Sequence, residues 1–144
     1  MIEFLPYIAG QITQPFNLVL MFGATVIGLI FGAIPGLSGT LAVMLFMPLT
    51  YTMNASSAVV FLIALWVGGC SGAFIGSVLL GIPGSASAVA TCFDGYPMAQ
   101  AGKAGKALAI GMVASFLGTF FSAILGALLS QKIADIAFAL GPWE

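Results

Sequence analysis

Between Glu3 and Lys103 this chain carries one charged residue, Asp94. A soluble domain keeps about a quarter of its residues charged to wet its surface, and here only 5% of 144 residues are. With 61% hydrophobic residues and a mean hydropathy of +1.20, the solvent that suits such a chain is the bilayer. Lipid offers no hydrogen bonds, so backbone N–H and C=O groups must be satisfied inside helices. The expected fold is an all-α integral membrane protein. Wherever its helices are forced to break, backbone groups become free for other work.

The uncharged runs 16–33, 55–80 and 107–129 each reach the roughly 18 residues needed to cross about 30 Å of hydrocarbon. They read as three full spans of one membrane domain covering 1–144. Residues 1–15 hold Glu3, Pro6, Gln11, Gln14 and Pro15, too polar and broken to span, and read as an interfacial segment. Gln131, Lys132, Asp135 and Trp143 give 130–144 an interfacial character too. Lys103 and Lys106 form the one basic loop, which the positive-inside rule places in the cytoplasm.

Several function classes drop out. The chain has no His, which excludes imidazole catalysis and His-ligated metals. Three Lys and no Arg leave no basic patch for nucleic acid. No paired acids and no nucleophile beside a base are present, so an enzyme is not expected, nor a cofactor. Cys70 and Cys92 sit among small or apolar neighbours; a disulfide is conceivable, but two small apolar residues is the simpler reading.

Glycines recur at helical spacing within the spans: Gly28 and Gly32, then Gly68, Gly72 and Gly76. Such faces let helices approach closely and predict packing against protein rather than lipid. Ser56 and Ser57 are candidate N-caps for the second span.

Two stretches, 34–53 and 81–97, break the pattern. Ile34-Pro35-Gly36 is followed by a short apolar run ending at Pro48, and Ile82-Pro83-Gly84 by a similar one ending at Pro97. Proline removes an N–H and glycine allows non-helical φ, so each reads as a broken or re-entrant half-helix. Asp94-Gly95-Tyr96-Pro97 reads as a turn, placed to gate. Corresponding broken helices point to a transporter site near the midplane, in the manner of inverted repeats. A half-helix starting at Ser38 or Ser85 would aim its N–H groups and positive dipole end at a carboxylate. Unwound carbonyls with the hydroxyls of Ser38, Thr40, Ser85, Ser87 and Thr91 could ligate a hard cation such as Na⁺. The same hydroxyls could instead bond carbonyls one turn back. With no ionisable residue inside the spans, a proton relay is disfavoured, although Asp94 at the edge could take part.

Ile34-Pro35-Gly36-Leu37-Ser38-Gly39 with Pro48-Leu49-Thr50, and Ile82-Pro83-Gly84-Ser85-Ala86-Ser87-Ala88-Val89-Ala90-Thr91 running into Asp94-Gly95-Tyr96-Pro97-Met98-Ala99 with Gly102, Gly105 and Ala107-Leu108, resemble the two signatures of a known family. It is the large membrane subunit of tripartite tricarboxylate transporters, and the resemblance covers nearly the whole chain, closing with Gly141-Pro142-Trp143-Glu144. It implies a multi-pass protein of the bacterial inner membrane, driven by a Na⁺ or H⁺ gradient. A periplasmic solute-binding protein would deliver an organic acid, and a small membrane subunit would complete the complex. Family members are several hundred residues long, so the chain resembles the first part of one, with the remaining half of the large subunit as a further partner. Gly81 stands where many members carry Asn. The competing reading is a non-transporting membrane scaffold or relic that packs through its glycines.

Overall fold

The computed structural model describes Gly10 and residues 13–140, all helix or connection without a strand. The expected interfacial segment over 1–15 and the closing 141–144 lie almost wholly outside the described residues. Two compact units are formed, residues 1–108 and 109–144. Three helical stretches, Pro15–Ala33, Ala55–Leu80 and Ala86–Ser130, are long and apolar enough to cross a membrane.

In the first unit, α1 (Pro15–Ala33) starts with proline in its first turn, where no N–H is needed. It ends because Ile34 precedes Pro35 and is held extended, at φ −81° and ψ 121°. Gly36 then takes φ +90°, a value only glycine adopts cheaply. Ser38 is extended and caps α2 (Gly39–Phe46), its hydroxyl accepting from the Leu41 N–H at 3.2 Å. A 3₁₀ segment, Met47–Thr52, completes the descent before α3 (Ala55–Leu80).

The glycines set the register. A Cβ on Gly68 would strike the Thr25 carbonyl, one on Gly72 the Leu29 carbonyl, one on Gly28 the Leu65 carbonyl and one on Gly32 the Gly69 carbonyl. Residue numbers rise together on the two helices, so α1 and α3 run parallel, backbone against backbone. Lipid provides no hydrophobic drive between helices, which leaves close van der Waals packing to hold them. Parallel neighbours require the chain to return between them. Gly39 lies on Gly69 and Phe46 on Phe61, the latter with ring centroids 6.3 Å apart. The expected half-helix of 34–53 is therefore the crossover that carries the chain back to the end where α1 starts. Phe31, Phe46 and Phe61 form an edge-to-face ladder joining α1, α2 and α3, over a core of Ala24, Ala42, Ala64 and Leu65.

Asn54, not Ser56 or Ser57, occupies the N-cap of α3, and its side chain makes no cap bond. Ser57 lies inside the first turn, buried, and donates to Asn17 Oδ1 of α1 at 2.8 Å. The fully buried Asn17 explains this change of role: a polar group away from water needs a partner, and Ser57 is in register to supply it.

α3 ends at Gly81, which is left-handed at φ +68° and donates its N–H to the Ser77 carbonyl at 3.1 Å. A 3₁₀ turn (Ala86–Ala88) leads into α4 (Val89–Met98). The turn expected at Asp94-Gly95-Tyr96-Pro97 is absent: these four residues are helix, with Pro97 inside it. Gly95 does not take positive φ. It is buried because its missing side chain makes room for Val78, whose Cγ2 would stand 2.9 Å from an added Cβ. The helix is interrupted later, at a kink within Ala99–Lys103 where Gly102 is non-helical at φ +76°.

α5 (Ala104–Leu140) begins before the expected span of 107–129 and continues past it to Leu140, into the stretch expected to be interfacial. In the second unit, taken by itself, Phe116 and Phe120 stack at 6.4 Å, and Phe121 meets Phe120 edge-on at 6.1 Å. Cys70 and Cys92 are free thiols.

Three outcomes are expected of this packing. Gly68→Ala and Gly32→Ala should each destabilise by at least the 1–3 kcal/mol typical of overpacking. Gly23→Ala, at a helical position with nothing within 4 Å, should gain up to about 1 kcal/mol from helix propensity. Equilibrium unfolding in mixed detergent micelles reads both. A double-mutant cycle on Asn17→Ala and Ser57→Ala should return a coupling of about 0.6 kcal/mol, and no more than about 1.7.

Candidate functional site

The two signatures meet on one stretch of α3. Gly39, the first residue of α2, lies against Gly69: a Cβ on Gly39 would come 3.0 Å from the Gly69 Cα. Gly84 lies against Ala73 and the end of α1, where an added Cβ would stand 2.8 Å from the Gly32 carbonyl oxygen and 3.1 Å from the Ala73 Cβ. Gly69 and Ala73 are one helical turn apart, about 6 Å. Residues separated by 45 positions in sequence are thus brought to neighbouring turns of one helix. Side chains at either glycine would push them off.

What each signature presents there is similar. Ser38 has φ −140° and ψ 159°, and Ser85 has φ −151° and ψ 159°, so both are extended residues preceding a helical start. Ser38 uses its hydroxyl to cap α2. Ser85 makes no cap bond, and its Oγ lies 3.0 Å from the Ser87 Oγ. Ser38, Ser85 and Thr91 are half-buried, whereas Pro35, Gly36, Thr40, Pro83 and Ser87 are exposed. No Lys, Arg, Asp or Glu occurs from residue 13 to Phe93. The chemistry on offer is N–H groups, hydroxyls and helix dipole ends, without a formal charge.

The match between the two breaks is looser than their shared Ile-Pro-Gly implies. In the first, the left-handed glycine is Gly36, after the proline. In the second it is Gly81, two residues before Pro83, and Gly84 serves close approach instead. Gly81 also clears space for Tyr96, since an added Cβ would meet the ring at 3.1 Å. Asn is the side chain that best tolerates left-handed backbone after glycine. It would need the Tyr96 ring to give by a few tenths of an ångström.

Asp94, Gly95, Tyr96 and Pro97 are not part of this convergence. They lie further along α4, where Gly95 packs on Val78 and Tyr96 on Gly81. Asp94 and Pro97 are exposed, and the Tyr96 hydroxyl accepts from the Gln100 amide. Gly69 and Ala73, which receive both signatures, were not singled out by sequence. Gly69, Ala73 and Ser77 form a second small-residue face at the same spacing of four, one residue off the Gly68–Gly72–Gly76 stripe, which reading glycines alone passes over. A polar cavity of about 400 Å³ opens at the start of α1 and α3, lined by Gln14, Phe16, Thr52, Met53, Asn54, Ser56 and Ser57. It lies about 18 Å along α3 from Gly69, counting from Ser57.

Because the second signature is seated by the missing side chain of Gly84, Gly84→Val should unseat it while leaving the α1–α3 register intact. Limited proteolysis after Lys103 should then accelerate several-fold, whereas cleavage elsewhere should not change.

A family model described as the tripartite tricarboxylate transporter TctA family matches residues 18–144. A curated relative, an uncharacterized 52.8 kDa protein in the TAR-I ttuC' 3'region of Agrobacterium vitis, is 30% identical over 130 residues, covering 90% of this chain. The chain spans 26% of that relative's length. No solved structure matches it at a significant level. With both signatures inside the matched range, the chain belongs to the tripartite tricarboxylate transporter TctA family.

Proposed function

We propose that this chain forms half of an organic-acid site in the large membrane subunit of a secondary transporter. The observation that carries this reading is the seating of both signatures on Gly69 and Ala73 of α3. Two extended serines, each leading into a helical start, come to neighbouring turns in a region with no basic side chain. Uncharged N–H groups and dipole ends hold a carboxylate without the desolvation cost of a buried Lys or Arg. Membership of the family supports a tricarboxylate or related organic acid as substrate.

Ser38, Gly39 and Thr40 from the first signature, with Gly84, Ser85, Ser87 and Thr91 from the second, line this half-site. Pro35, Gly36 and Pro83 shape the backbone that presents them. Helix dipoles supply roughly half a charge each, so a polycarboxylate bound here needs cations beside it. Na⁺ on the hydroxyls and unwound carbonyls meets that need, with H⁺ the alternative coupling ion. The rest of the large subunit contributes the other half of the site. A small membrane subunit and a periplasmic solute-binding protein complete the system, in the bacterial inner membrane. Lys103 and Lys106, which stand at the helical start of α5 rather than in the basic loop expected from sequence, lie on the cytoplasmic side in this reading.

Uptake of labelled citrate into proteoliposomes tests the reading, using the full-length large subunit with its small subunit and binding protein. A Na⁺ gradient should drive uptake. Ser85→Ala should weaken citrate affinity about ten- to a hundredfold, the worth of one hydrogen bond to a charged group. Absence of gradient-driven uptake of citrate or other organic acids by the folded, assembled complex would favour a non-transporting scaffold.

A further inference from the structure

The segment between Gly81 and Gly102 is attached to its surroundings differently from everything before it. α1, α2 and α3 are locked by backbone-on-backbone glycine contacts, by the aromatic ladder and by the buried Ser57–Asn17 bond. Residues 82–101 touch that frame at fewer points: one backbone approach of Gly84 to the Gly32 carbonyl and Ala73, then Gly95 on Val78 and the Tyr96 ring over Gly81. Its side-chain hydrogen bonds close within the segment: Ser85 with Ser87, Cys92 to the Ala88 carbonyl and Gln100 to Tyr96. Internally bonded and externally held by van der Waals contact, it has the connectivity of a rigid body.

Its two ends have the backbone of hinges. Gly81 and Gly102 are left-handed, at φ +68° and +76°, and Gly36 is the one other positive-φ residue among those described. Gly102 interrupts the helical backbone between α4 and α5, at φ 76° and ψ 10°, so the chain is kinked there. Nothing lies within 4 Å of a Cβ built on Gly102, so packing does not require glycine there and the backbone conformation does. Hinges in moving proteins are a few element-terminal residues that absorb large φ/ψ changes.

We propose that residues 82–101 swing as one body against the α1–α3 frame, pivoting at Gly81 and Gly102. The movement carries Ser85 and Ser87 towards or away from Ser38, opening and closing the half-site; that consequence rests on the transport reading, whereas the swing itself does not.

Spin-label distances in the full-length large subunit test this. Nitroxides are placed at Asp94→Cys on α4 and Ile63→Cys on α3, both exposed positions, with Cys70 and Cys92 replaced by Ala. Two distance populations are expected, and citrate with Na⁺ should shift their ratio at least threefold. Gly102→Val, which excludes left-handed backbone, should collapse them to one. Gly102→Asn, which tolerates it, should restore both and serves as the control for folding. A single distance in the unsubstituted hinge under all conditions, or two populations indifferent to Gly102→Val, would overturn the proposal. Two populations that collapse with Val but ignore citrate and other organic acids would support the hinge and contradict the transport reading.

Discussion

The contact on which this structure depends is the parallel approach of α1 and α3, in which Gly28, Gly32, Gly68 and Gly72 let one backbone lie on the other. In lipid, apolar side chains gain little by meeting each other, because the tails are as apolar as they are. Removing side chains is then the productive choice: it lets peptide groups on two helices come into van der Waals range. Everything downstream follows from the direction of that pair. Parallel neighbours force a crossover, and the crossover brings Gly39 back to Gly69. The end of α1 leaves the Gly32 carbonyl facing the place where Gly84 arrives.

The two signatures are thus brought together by close approach rather than by charge. A charged side chain in the bilayer is costly and must be paired, whereas a helix start presents N–H groups that the backbone already has. From residue 13 to Phe93 the chain has no formal charge, and each signature instead places an extended serine before a helical start. The organisation separates duties: α1 to α3 hold the frame, and the segment after Gly81 brings the second signature to it.

Much of this was legible in the sequence, and the reasons are physical. Hydropathy and the absence of charge locate the spans because lipid tolerates nothing else. Proline and glycine mark the breaks because their backbone effects are local. Periodic glycines at 68, 72 and 76 announce a packed face. What stayed hidden depends on neighbours distant in sequence. Gly95 looks like a turn glycine beside Asp94 and Pro97, yet it is helical because Val78 needs its space. Ser57 looks like a cap, yet it is called inward by buried Asn17. Gly81, Gly84 and Gly102 are alike in the sequence; only the fold reveals which bends the chain and which admits a neighbour. The parallel course of α1 and α3 leaves no trace in either helix alone.

The central claim, that both signatures belong to one site, is tested most directly by ligand protection of two single cysteines. Ser38→Cys and Ser85→Cys would be placed separately in a full-length large subunit lacking Cys70 and Cys92. The rate of modification by a small thiosulfonate reagent would then be followed against citrate concentration at fixed Na⁺. The account predicts that both positions are protected with the same half-saturating concentration. Protection of one without the other, or half-saturation differing tenfold or more, would show that the signatures serve separate purposes.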